Sequence, residues 1–188
     1  MVGVAKRLAG TGSSTSVPIM GTFRRRRAGD PSKAEAKARD PDAARASAIA
    51  QLARRDFASG ELRLKLESQG YDKAVIAAVI AELTEERALD DARYAEHYVA
   101  YHAERGHGPL RIAADLRSLG VLDALIDAAL AAGPDWRVLA REVRMRKFGA
   151  ESPEEWTEKT RQARFLQYRG FSSDHIRAAT GADFDADS

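Results

Sequence analysis

The chain has 188 residues, 44% of them hydrophobic and 31% charged, with a formal net charge of +2. That is enough apolar side chain for one core or for a short array of small ones. Cysteine is absent, which excludes disulfides and thiolate metal sites and fits a reducing compartment. No apolar run approaches the roughly 20 residues that cross a bilayer. The N-terminus lacks the apolar stretch of a secretory signal, so a cytoplasmic protein without a membrane partner is expected.

Charge is unevenly spread. Residues 1–47 carry 10 Lys/Arg and 4 Asp/Glu, a net +6. Residues 48–136 carry 10 and 15, a net −5, and residues 137–188 carry 10 and 9, a net +1. Residues 1–42 show no apolar periodicity and contain the run Arg24-Arg25-Arg26-Arg27 together with Asp30-Pro31 and Asp40-Pro41. Such composition buries too little surface to offset chain entropy, so a disordered basic arm is expected there.

From residue 43 the pattern turns helical. Ile49, Leu52 and Ala53 share one face, and Leu62 and Leu66 another. Gly70 suits the position just past a helix end. Asp72 then reads as the N-cap of a helix carrying Val75, Ile76, Val79, Ile80 and Leu83. This is one unit, residues 43–88: helix, helix, glycine turn, helix. The second unit, 89–133, repeats it. Asp90 precedes a helix bearing Tyr94, Tyr98 and Tyr101. Gly108-Pro109 starts the next, with proline at the first helical position. Ile112, Leu116 and Leu119 form its stripe, Gly120 ends it, and Leu122, Leu125, Ile126 and Ala129 line the third helix. In the third unit, 134–181, Trp136, Leu139, Ala140 and Val143 lie on the first helix. Ser152-Pro153-Glu154-Glu155 has the form of a capping box opening the second, whose inner side holds Trp156, Ala163 and Leu166. Gly170 turns the chain and Ser172 caps the last helix. Residues 182–188 form an acidic tail with Asp183, Asp185 and Asp187.

The units share a period of 50 residues. Leu66/Leu116/Leu166, Gly70/Gly120/Gly170 and Ile76/Ile126/Ile176 recur without slippage. A fixed period of this size marks an array in which each unit completes its core against a neighbour. With no alternating β-branched runs, the expected fold is all-α: an elongated tandem array of three three-helix repeats. Function is then expected on an extended surface.

Residues able to do chemistry are few. His97, His102 and His107 are spaced by five and do not share a helix face as i, i+4 ligands would. Asp90 and Asp91 are explained by capping. No glycine loop follows a strand. No enzyme, metal or cofactor is therefore expected. The arginines remain: Arg54 and Arg55 before the second helix of unit 1, Arg105, Arg111 and Arg117 around that of unit 2, and Arg161, Arg164 and Arg169 on that of unit 3. Guanidinium forks bind carboxylate and phosphate bidentately. Arg105, Arg111, Arg117, Arg164 and Arg169 are the candidate partner contacts. The bland alternative is surface charge whose stems cover apolar groups.

Four stretches carry a family resemblance. Leu62-x3-Leu66-x3-Gly70-Tyr71, Leu89-Asp90-Asp91-x-x-Tyr94-Ala95, Gly108-Pro109-x-x-Ile112-x3-Leu116-x3-Gly120 and Phe165-Leu166-x-x-Arg169-Gly170-Phe171-Ser172 resemble RecX, the regulator of the RecA recombinase. The likeness covers about residues 43–180. It implies a tandem array of three-helix repeats that binds the RecA filament on single-stranded DNA along its groove. It also implies inhibition of strand exchange, ATP hydrolysis and co-protease activity, without catalysis. A monomer is expected. Ala58 stands where the family commonly has serine, so the cap of that helix is expected to move to Ser59. Leu119 replaces a common lysine, and the N-terminal arm lies outside the shared pattern. The alternative function is a helical-repeat protein that binds single- or double-stranded DNA directly; the acidic middle repeat disfavours a continuous DNA footprint. A peptide-binding adaptor would need a concave apolar groove.

Overall fold

Residues 31–181 are described by the computed structural model, and every regular element among them is a helix. The Arg24–Arg27 run and the acidic tail lie outside these residues. Three units follow in chain order. The first holds α2 (Pro41–Leu52), α3 (Ser59–Ser68) and α4 (Lys73–Glu85); the second α5 (Asp91–Glu104), α6 (Pro109–Ser118) and α7 (Asp123–Ala131); the third α8 (Trp136–Phe148), α9 (Trp156–Tyr168) and α10 (Ser173–Thr180). A further helix, α1 (Pro31–Ala38), precedes them.

The repeating residues do the packing. Leu66, Leu116 and Leu166 are fully buried, as are Ile76, Ile126 and Ile176 to within 2%. Tyr71, Val121 and Phe171 plug the three corners. Gly70, Gly120 and Gly170 all have positive φ, at 91°, 83° and 87°, which an L side chain adopts only with strain.

The second and third cores each also take a small residue from the unit before them. Ala58, at the N-cap of α3, lies in the core of unit 2. Ala103, near the end of α5, lies in the core of unit 3. Backbone meets backbone at these junctions. A β-carbon on Gly60 would come within 2.5 Å of the Leu119 carbonyl oxygen, and one on Gly108 within 2.3 Å of the Gly170 carbonyl oxygen. The α9 C-terminus therefore feeds the α6 N-terminus directly. Gly108 N–H donates to Arg169 O at 2.8 Å, and Leu110 N–H to Gly170 O at 3.0 Å. Orphan donors of one helix satisfy orphan acceptors of the other, with opposite dipole ends facing.

Several local expectations need correction. The segment 31–42, read as part of a disordered arm, forms α1 and the start of α2. Asp40-Pro41 is a helix start: the Asp40 carboxylate accepts from Ala43 N–H at 3.0 Å and Pro41 takes the first position. Asp72 makes no side-chain cap. Its N–H donates to Ala38 O at 2.9 Å and its carboxylate faces Arg39 at 3.5 Å, so it fastens α1 instead. Ser152 opens no helix either. The chain stays irregular to Glu155, and α9 begins at Trp156 without a side-chain cap. The cause is Arg144, buried on α8, whose guanidinium takes Glu151 O at 2.8 Å and Ala150 O at 3.2 Å. The capping box falls at Ser172 and His175. Finally, Ile49, Leu122 and Trp156 are exposed; Ala44 and Ala48 are the buried residues of α2.

Candidate partner-binding surface

The glycine turn at 106–108 and the end of α9 bring three of the five candidate arginines together. Arg105 ends α5. Its guanidinium lies 3.4 Å over the Tyr101 ring and donates to Tyr101 O at 3.2 Å. Arg169 ends α9; it donates to Arg105 O at 3.1 Å and sits 5.3 Å from the Phe165 ring. Arg111, on the first turn of α6, lies against Gly170 through its β-carbon and faces Asp115 at 4.0 Å. All three flank the junction of units 2 and 3.

Two residues missed by the sequence reading complete this surface. Arg146 and Lys147, on the last turn of α8, line a recess of about 210 Å³ with Arg105, Gly106, Val143, Phe165 and Arg169. The signal was present in the basic run Arg144-Met145-Arg146-Lys147, but sequence alone does not separate buried Arg144 from its neighbours. The remaining candidates lie elsewhere. Arg117, at the far end of α6, is bound to Asp123 at 2.6 Å. Arg164 lies on the outer face of α9, beside Trp156, Thr157, Thr160 and Arg161.

Histidines sit inside the cationic cluster. His102 and His107 meet Nδ1 to Nδ1 at 3.0 Å, and Tyr98 stacks on His102 with ring centroids 4.1 Å apart. Helical spacing forbids this, but α5 has ended: the chain reverses at Gly106, and His107 N–H donates to His102 O at 3.1 Å. Burial holds both imidazoles below the ordinary histidine range. Arg111 and Arg169 push His107 further down, Arg105 and Arg111 do so at His102, and Asp115 opposes at both. The described residues include no group of three or more metal-ligating side chains.

A second recess, of about 670 Å³, opens on another side of the same junction. The buried Val99, Ala103, Ala129 and Leu139 line it, together with Glu96, Glu104, Glu142 and Arg146. The exposed faces are therefore not uniformly charged.

Models of the three RecX three-helix domains match the chain in order: the first at residues 44–83, the second at 90–130 and the third at 138–180. A "Regulatory protein RecX" from Halorhodospira halophila is 46% identical over 142 residues, covering 75% of this chain and 88% of that protein. The chain belongs to the RecX family. Relatives of the same name from Pseudomonas fluorescens and Vibrio vulnificus are 41% and 42% identical, covering 94% and 88% of their own lengths. Among solved structures, RecX from Lactobacillus salivarius matches with a TM-score of 0.63 at 23% identity, covering 74% of this chain and 93% of its own. A second solved regulatory protein RecX gives the same TM-score at 21% identity. At that distance the likeness concerns the fold. The relatives are named as regulatory proteins, and among the described residues no helix is long and apolar enough to cross a membrane.

Proposed function

We propose that this chain is a non-catalytic modulator of RecA that acts in the cytoplasm as a monomer. It lies along the groove of the RecA–single-stranded-DNA filament and limits strand exchange, ATP hydrolysis and co-protease activity. No cofactor is required. The observation that supports a contact surface is the gathering of Arg105, Arg111 and Arg169 with Arg146 and Lys147 at one junction of the array. Cations on a rigid body meet repeated acidic or phosphate groups of a filament together, and weak contacts add through effective concentration. The Arg105 and Arg169 stems are held by ring stacking and backbone hydrogen bonds, so little side-chain entropy remains to be lost on binding.

The test is RecA's single-stranded-DNA-dependent ATP hydrolysis, titrated with the full chain and with a double variant, Arg105→Glu with Arg111→Glu. The full chain is expected to inhibit at concentrations well below that of RecA. The variant should need at least tenfold more, with its helical circular dichroism unchanged. No inhibition by the full chain at a RecA-equivalent concentration overturns the proposal.

A further inference from the structure

The outer face of α9 carries residues that the packing of unit 3 leaves unused. Trp156 was expected to face inward but is 63% exposed, and Tyr168, three turns later, is 82% exposed. Neither ring contacts another aromatic ring or a cation among the described residues. Between them, Trp156, Thr157, Thr160, Arg161 and Arg164 line one open recess of about 510 Å³. Thr157, Arg161, Arg164 and Tyr168 follow one another at i, i+4, i+7 and i+11, a single helical stripe. Arg161 is occupied by Glu158, at 2.8 and 2.7 Å. Arg164 has no hydrogen bond or ion pair among the described residues. The Thr160 hydroxyl is buried beneath the recess without a partner. Glu154 and Glu155 stand at the N-terminal end of the stripe; beyond its C-terminal end come Arg169, Arg146 and Lys147.

Two free aromatic rings separated by about 18 Å of helix, with free cationic charge between them, form a pattern with a specific use. A ring stacks on any base whose face is open, while the guanidinium holds the intervening phosphate. A duplex hides its base faces, so the pattern selects an unpaired strand. We infer that the outer face of α9 is a single-stranded nucleic-acid contact, with Trp156 and Tyr168 as stacking platforms and Arg164 as the phosphate clamp. This deepens the proposed function, since it gives the array a hold on the strand as well as on the recombinase.

The experiment needs no RecA, so its failure is separate from failure of the inhibitor reading. The full chain is titrated with a fluorescently labelled oligothymidylate at low salt, following label anisotropy and intrinsic tryptophan fluorescence. Of the two tryptophans, Trp136 is partly buried with its ring N–H bound to Leu130 O at 3.1 Å. Quenching therefore reports Trp156. The wild-type chain is expected to bind with quenching. Trp156→Ala and Tyr168→Ala should each lose about tenfold in affinity. Arg164→Ala should lower the magnitude of the salt slope by about 0.7, one single-strand phosphate contact. These are solvent-facing positions, and unchanged circular dichroism will confirm folding. The inference is overturned if the chain ignores the oligonucleotide, or if all three variants bind it as the wild type does.

Discussion

Glycine at one position of the repeat does two different jobs. Gly70 and Gly170 are equivalent, with φ of 91° and 87°. Around Gly70, however, a β-carbon would meet nothing within 4 Å, whereas at Gly170 it would come within 2.3 Å of the Arg111 β-carbon and 2.7 Å of its nitrogen. Gly108 is the third case: its φ of −85° suits any residue, yet a side chain there would strike the Gly170 backbone. Gly70→Ala should therefore cost only the left-handed strain, roughly 1–2 kcal/mol. Gly108→Ala should cost a steric term of roughly 1–3 kcal/mol, and Gly170→Ala both together. Chemical denaturation midpoints should fall in the order Gly70→Ala, Gly108→Ala, Gly170→Ala, the last being the least stable. Equal losses for Gly70→Ala and Gly170→Ala, with none for Gly108→Ala, would mean that the junction relaxes freely. The turn role of these glycines was legible from the period, because the positive φ is a local demand. The close approach was not, because a neighbour 60 residues away sets it.

At the scale of elements, the neighbouring unit decides how helices begin. Helix α3 has Ala58 at its N-cap and no cap of its own. Its free donors go to Asp91, on the first turn of α5, which accepts from Ser59 N–H at 2.7 Å and from Ser59 Oγ at 2.6 Å. The sequence placed Asp90 and Asp91 together as caps of α5. Asp90 does cap it, accepting from Arg93 N–H at 3.0 Å, while Asp91 reaches back to unit 1. The expected shift of the α3 cap to Ser59 does not occur: Ala58 keeps the N-cap position, and Ser59, the first helical residue, donates to Asp91 instead of accepting. Asp91→Ala should cost about 1 kcal/mol, as loss of a capping side chain does. Combining it with Ser59→Ala should add less than the sum of the two. Additive losses in denaturant titrations would show that the two residues act apart. The Ser152 motif teaches the same lesson. Its pattern favours a helix start, but the buried Arg144 guanidinium holds the carbonyls of Ala150 and Glu151 in an irregular path, and tertiary demand overrides local preference.

For the whole molecule, stiffness depends on the two junctions, and the second contains the His102–His107 pair. Three-helix units and their order were legible because burial at the period of 50 repeats the same leucine and isoleucine anchors. The line that the units form was not, because it is built from backbone contacts and from histidines whose spacing argued against their meeting. That pair gives the junction a direction of response to acid. Burial, with Arg105 and Arg111 at His102 and Arg111 and Arg169 at His107, depresses both folded-state values, while Asp115 opposes. In the unfolded chain each would titrate near its ordinary value, about 6.5. Below that value the unfolded state binds protons that the folded state resists, so unfolding becomes easier as pH falls. The stabilising contribution is complete above about pH 6.5 and declines through the window beneath it. His175, also depressed chiefly by burial, adds to the loss from within unit 3. Denaturation midpoints at about pH 7.5 and about pH 5.5 should therefore drop for the wild-type chain. The drop should be smaller, though not absent, for the double variant His102→Gln with His107→Gln. An equal drop in both would place the acid sensitivity outside the junction. A smaller drop in the variant would mean that the turn gathering the cations is also where acid loosens the array.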